Sequence, residues 1–174
     1  MDYRTGQELK SLDPKDYKRV IVVCGSRHWG DKWRFHKKII AFLASVNEPV
    51  VFVSGAAKSG ADRMIIDWCA KFGFPCLQVP ADWDRYGKSA GFRRNESMAS
   101  ICNEVIAFWD MESNGTAHML QISTEQNHPT KIINISNKHA NTDHHTALEL
   151  AAGTVCVSGE HSRPEDYEPI EDLS

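Results

Sequence analysis

Residues 50–64 read VVFVSGAAKSGADRM. Three β-branched valines and a phenylalanine run into Ser54 and Gly55, and a pattern with Ala61, Met64, Ile65, Trp68, Cys69 and Phe72 on one side follows. A short apolar run bounded by glycine reads as a buried strand. Apolar residues recurring every three or four positions read as a helix that packs against it. The turn between them holds Gly55, Lys58, Ser59 and Gly60. A turn of this composition serves either as a tight steric connection or as an anion cradle. In the second case backbone N–H groups and the positive end of a helix face a ligand, with no side chain in the way.

The same alternation extends in both directions. Residues 20–24 (VIVVC) predict a strand, and 32–46 a helix carrying Trp33, Phe35, Ile39, Ile40, Phe42, Leu43 and Val46. Pro49 closes that helix, since the residue before a proline disfavours the α region. After the strand at 50–54 comes a helix over 60–72, which ends at Gly73, a natural left-handed stop. Strands follow at 76–79, 104–109 and 131–135, and helices from about 91 to 101 and over 116–126. Strands alternating with helices at this spacing predict an α/β, Rossmann-like fold: a mostly parallel sheet of five or more strands with helices on both faces. The helical spacing sends Trp33 and Trp68 to the core.

The chain has 174 residues, 41% of them hydrophobic and 25% charged, ordinary values for one globular domain. That domain is expected over 18–136, after an N-terminal extension, 1–17, and before an acidic, partly ordered C-terminal extension, 137–174, with one strand-like piece, TVCVSG. The net charge of −3 does not point to nucleic acid, but it is uneven. Residues 137–174 hold two basic side chains against eight acidic ones, and the remainder holds 18 against 15. A mildly basic body suits an anionic ligand.

Five scattered cysteines without a CxxC pair fit reduced thiols in a cytoplasmic protein. The polar N-terminus lacks the apolar segment of a secretion signal, and no apolar run approaches the roughly 20 residues of a membrane span. His139, His144 and His145, with Asp143, lack HxxxH or HExxH spacing, so no metal site is expected, and no cofactor.

In an open parallel sheet, ligands bind beyond the carboxyl ends of the strands. The loops there are CGSRHWGD (24–31), SGAAKSGAD (54–62), PADWDRYGKSAGFRRN (80–95) and DMESNGT (110–116). Three of the four pair glycine with Ser or Thr close to a helix start, which is the chemistry of phosphate capture. Neither GxxxxGK[ST] nor GxGxxG occurs. The third loop concentrates Asp82, Trp83, Arg85, Tyr86, Lys88, Arg93, Arg94 and Asn95. Guanidinium forks suit phosphate, and Trp and Tyr faces suit a stacked base.

Taken in order, VIVVCGSRHWGD, VFVSGAAKSGADRMIIDWCAKFG, PADWDRYGKSAGFRRNESM and VIAFWDMESNGTAHM resemble the motifs of the YspA-like branch of the SLOG superfamily. Distant kin are the LOG-type phosphoribohydrolases and DprA-like proteins. The resemblance covers roughly residues 18–136. It implies a Rossmann-like fold and a nucleotide-derived small molecule as partner, such as an ADP-ribose-like or cyclic nucleotide second messenger. It also implies a homo-oligomer and a link to phage or bacterial defence and anti-defence. By motif, Gly25, Ser26 and Arg27, with Trp29 beside them, form the first ligand loop, and Gly55, Ala56, Ser59, Gly60 and Asp62 the second. Trp83, Tyr86, Lys88, Gly91, Arg94 and Asn95 form the third, and Gly115 and Thr116 are the phosphate-binding Gly-Thr. Asp62 also stands where a helix cap is expected.

The LOG-type hydrolases carry a glutamate shortly after their Gly-Thr. Here GTAHML supplies Ala117, His118 and Met119 and no carboxylate. Cleavage of an N-glycosidic bond needs a carboxylate to stabilise the oxocarbenium-like centre or activate water. Asp31, Asp82, Asp110 and Glu112 lie in suitable loops, and His118 sits beside the Gly-Thr, but no spacing selects among them. The reading is a nucleotide binder, a sensor or a sequestering protein. One alternative is an enzyme cleaving an N-glycosidic or phosphoester bond. Another is a DprA-like nucleic-acid module, which the charge balance disfavours.

Overall fold

The computed structural model describes residues 13–136. The C-terminal extension, its strand-like piece and the His139, His144 and His145 tract lie outside the described residues, as do residues 1–12 of the N-terminal extension.

After a 3₁₀ turn, Pro14–Asp16, the order is β1 (Arg19–Gly25), α1 (Lys32–Leu43), β2 (Val50–Ser54), α2 (Ala61–Phe72) and β3 (Cys76–Gln78). Then come α3 (Trp83–Tyr86), α4 (Ala90–Ile101), β4 (Glu104–Trp109), α5 (Asn114–Glu125) and β5 (Thr130–Asn134). All four strand pairings are parallel, in the order β3-β2-β1-β4-β5. The α/β, Rossmann-like expectation is met.

Strand side chains alternate between two apolar layers. Ile21, Val23, Phe52, Ile106 and Phe108 pack with Phe35 and Ile39 of α1 and with Ile65 and Trp68 of α2. Val22, Val51, Val53, Val105 and Ala107 pack with Met98 of α4 and with Met119 and Ile122 of α5. Burial on both faces is why the strands read as unbroken apolar runs. Tyr17 packs against the second layer, so the end of the N-terminal extension joins the body.

Several details differ from the sequence reading: α1 ends at Leu43 rather than 46, and Ile40 and Phe72 of the expected apolar stripes are exposed. Trp33 is only partly buried, its ring near His36 and under the Lys37 ammonium. Phe35, Ile39 and Phe42 define the inward stripe of α1, and a residue two positions before Phe35 points away from it. The 80–95 stretch also contains a short helix, α3, and a 3₁₀ turn, Gly87–Ser89, before α4. Asp82 caps α3 through Arg85 N–H at 3.0 Å.

Chain order reverses between neighbours β1 and β4: β2 and β3 lie on one side and β5 on the other. The loops leaving β1 and β4 therefore diverge to opposite faces and leave a crevice at their carboxyl ends.

Candidate functional site

A cavity of about 290 Å³ occupies that crevice. Gly25, Ser26 and Arg27 from the β1 loop, Asp62 from α2, Arg94 and Asn95 from α4, and Gly115 and Thr116 from α5 all line it. Eight expected residues from four loops thus meet at one place. Cys24, His28 and Ser113 line it too and were not expected. Ser113 was legible in principle, since a serine just before a helix start is a capping signal.

Ser26 is buried and ties the β1 loop to β4. Its N–H donates to Phe108 O at 3.1 Å, its Oγ accepts His28 N–H at 3.3 Å, and its hydroxyl bonds the Asp110 carboxylate. Asp110 Oδ1 also accepts N–H from Ser113 at 2.8 Å and from Glu112 at 3.1 Å. Partial burial works to raise the Asp110 pKa. The hydrogen bonds from Ser26, then from Ser113 and Glu112, outweigh it and hold the group at about 2. A carboxylate this acidic is a poor proton donor or acceptor near neutrality.

Asp62, 5% exposed, is the second bracket. The first backbone bond of α2 runs from Met64 N–H to Gly60 O, and Gly60, not Asp62, occupies the cap position. The Asp62 carboxylate turns back to accept Gly55 N–H at 2.9 Å, and the Asp62 carbonyl accepts the Ser54 hydroxyl at 2.8 Å. Asp62 therefore fixes the turn that precedes α2. Burial raises its pKa, and the Arg94 charge and the Gly55 bond oppose that rise. Gly60 has φ +74, and a Cβ there would collide with the Ser26 carbonyl and Arg27 Cα, so this position needs glycine twice over.

Arg94 Nη1 donates to Gly55 O at 2.7 Å and Nη2 to Asn95 Oδ1 at 3.3 Å. Arg94 Nε is buried and has no hydrogen-bond partner among the described residues. Asn95, 2% exposed, donates from Nδ2 to Gly115 O at 2.9 Å and lies 3.4 Å from His118 Nδ1. Two adjacent α4 residues thus hold the β2 loop on one side and the β4 loop on the other.

The α5 N-terminus completes the wall. Ser113 precedes the helix, but its hydroxyl donates to Thr116 Oγ1 at 2.9 Å and caps no backbone N–H. The first backbone bond is from Ala117 N–H to Ser113 O, so the N–H groups of Asn114, Gly115 and Thr116 have no intrahelical partner. Gly115 and Thr116 line the same cavity as Arg27 and Arg94, so the positive helix end and two guanidinium groups share it, an arrangement suited to phosphate.

The other expected residues fall elsewhere. Gly55 lies buried under the Arg94 guanidinium, where a Cβ would stand 2.6 Å from Cζ. Ala56 and Ser59 belong to the β2 loop, and Ser59 is exposed. Trp29 packs, partly buried, against the core, stacked on Phe108 with centroids 5.0 Å apart. Trp83, 50% exposed, stands on the rim with the Arg27 guanidinium 6.0 Å from its ring, and Gly91 abuts it. The Tyr86 ring contacts Arg85 at 5.1 Å and Arg93 at 4.6 Å, and Lys88 is exposed. Of the acid/base candidates, Asp31 caps α1 through Arg34 N–H at 2.9 Å, Glu112 is exposed, and neither lines the cavity. No group of three or more His, Cys, Asp or Glu that could hold a metal occurs among the described residues. No helix there is long and apolar enough to cross a membrane.

Residues 19–86 match the family described as YAcAr: YspA, cpYpsA-related SLOG family. The resemblance read from the sequence is thereby shown over β1 through α3. A solved structure titled "X-ray structure of DNA processing protein A (DprA) from Streptococcus pneumoniae" aligns with a TM-score of 0.58 at 23% identity. The alignment covers 74% of this chain and 54% of that one, so this chain spans about half that protein's length, and the likeness is one of fold. No curated protein matches the chain.

Proposed function

We propose that the chain binds a nucleotide or nucleotide-derived ligand in the cavity between β1 and β4, and holds it without cutting it. The observation that carries this is the α5 N-terminus: Gly115 and Thr116, whose N–H groups have no intrahelical partner, line one cavity with Arg27 and Arg94. A phosphate fits that donor set. Asp62 is the carboxylate that lines the cavity, and it is sequestered against Gly55 N–H, while Asp110 is locked by three donors. Glycosidic hydrolysis needs a carboxylate free to act. Binding without turnover suits a sensor, or a protein that sequesters a nucleotide signal, the role that the family resemblance links with phage and bacterial defence.

A second reading, single-stranded nucleic acid, draws on the half-exposed Trp83 beside Arg27, since a ring next to a cation is how such strands are held. The likeness to a DNA processing protein agrees with it only at the level of fold.

The test is a panel of AMP, GTP, NAD, ADP-ribose and cyclic dinucleotides, read by thermal shift and by chromatography of the ligand afterwards. A ligand at 100 times its Kd stabilises by about 2.7 kcal/mol, enough to move the transition by several degrees. Stabilisation with intact ligand, lost in Arg94→Ala, is the expected result. Released base or phosphate would overturn the binder reading. Tight, salt-sensitive capture of an oligonucleotide with no shift from the panel would favour the second reading.

A further inference from the structure

Trp68 of α2 is 4% exposed, with Phe52 of β2, Phe72 and Phe74 against its ring. Its indole N–H reaches across to α1 and donates to His36 Nδ1 at 3.0 Å. An indole nitrogen only donates, so the histidine nitrogen that receives it carries no hydrogen. The bond requires a neutral imidazole with its hydrogen on Nε2.

His36 is partly buried, its ring centroid 6.3 Å from that of Trp33 and 5.3 Å from that of Phe72. Both of those rings carry a cation. The Lys37 ammonium is 5.4 Å from the Trp33 centroid, and the Lys71 ammonium is 5.7 Å from the Phe72 centroid. On α1, Lys32 lies one turn before His36. On α2, Asp67 precedes Trp68, but it is ion-paired with Arg63 at 2.8 Å. Partial burial, then the Lys71 charge, holds the His36 pKa below its ordinary 6.5.

We propose that the His36–Trp68 hydrogen bond is an acid-sensitive latch between α1 and α2, closed while the imidazole is neutral and released when it gains a proton. A protonated ring has no acceptor to offer in either orientation, so N–H or C–H meets the indole N–H. The group left unpaired is then the buried donor of Trp68, not one that water can serve. The unfolded chain takes up the proton first. The latch's contribution to stability is therefore complete above the ordinary 6.5 and is lost as pH falls through the lowered value of the folded chain. The first turn of α2 also supplies Asp62 to the cavity wall, so the latch holds an element that the cavity shares.

The experiment follows the Trp68 indole N–H by NMR of the full chain, isotope-labelled at its tryptophan nitrogens, from pH 8 to 5. The signal is the one missing from Trp68→Phe. Thermal unfolding is measured over the same range for wild type, for His36→Asn, which keeps an untitratable acceptor near the Nδ1 position, and for His36→Phe, which has none. The Trp68 signal is expected to shift in one step with its midpoint below 6.5. Over that step the wild-type transition temperature should drop by a few degrees more than that of either variant. The other histidines titrate in all three proteins, so the difference belongs to His36. An indole signal that stays constant while the His36 ring titrates overturns the latch. So does a stability step that persists in His36→Asn or His36→Phe, or unfolding before His36 takes up a proton.

Discussion

The Arg94 guanidinium rests on the peptide of Gly55, with Nη1 2.7 Å from the carbonyl oxygen, while the Gly55 N–H is held by Asp62 at 2.9 Å. A glycine, an aspartate seven positions on and an arginine 39 positions on form one clamp, and it works only because position 55 has no side chain. A Cβ there would meet Arg94 Cζ and Asp62 Oδ1, each at 2.6 Å. Gly55→Ala is expected to destabilise the fold by about 1–3 kcal/mol, measured by chemical denaturation, and to weaken any anion binding that depends on Arg94.

Asn95 joins that clamp to the α5 side. Asn95→Ala removes the 2.9 Å, partly buried donor to the Gly115 carbonyl and the acceptor of Arg94 Nη2. The expected loss is about 1–3 kcal/mol in urea unfolding. A change within a few tenths of that of wild type would mean that the two loops hold their positions unaided.

Asp110 and Asp62 give opposite contributions to pH dependence. The Asp110 pKa is lowered from 3.8 to about 2, so its stabilisation is present above about 3.8 and fades as pH falls toward 2. The Asp62 pKa is raised, so its contribution favours the fold in acid and declines as pH rises through its folded value. Unfolding curves from pH 2 to 7 should therefore show a shallower acid loss in Asp110→Asn than in wild type, and a steeper one in Asp62→Asn. Parallel curves for all three proteins would contradict this.

Trp29 separates packing from binding. Its ring is stacked on Phe108 with planes 21° apart and lies 6.3 Å from Phe35. Trp29→Ala is expected to cost roughly 2–4 kcal/mol of stability and to leave ligand affinity unchanged at temperatures where the variant is folded. A large affinity loss with little change in stability would return Trp29 to the site.

The fold was legible because both faces of the sheet are covered, so that its strands appear as plain apolar runs between helical patterns. VVFVS at 50–54 and EVIAFW at 104–109 match the observed strands end to end. Misreadings arose where a local pattern admits two geometries. Asp62 looks like a cap in sequence, yet Gly60 with φ +74 starts the helix and frees the carboxylate for Gly55. Trp29 follows a polar loop in sequence, and its packing against Phe108, 79 positions later, is not legible there.

Arg94 and Asn95 also bear on how the molecule comes apart. They sit side by side on α4, and between them hold carbonyls from loops 60 residues apart in the chain. A fluctuation that lifts this stretch of α4 releases both grips at once. The Gly55 and Gly115 loops are therefore expected to exchange their amide hydrogens as one cooperative unit with α4, slow or fast together, whatever their distance in sequence.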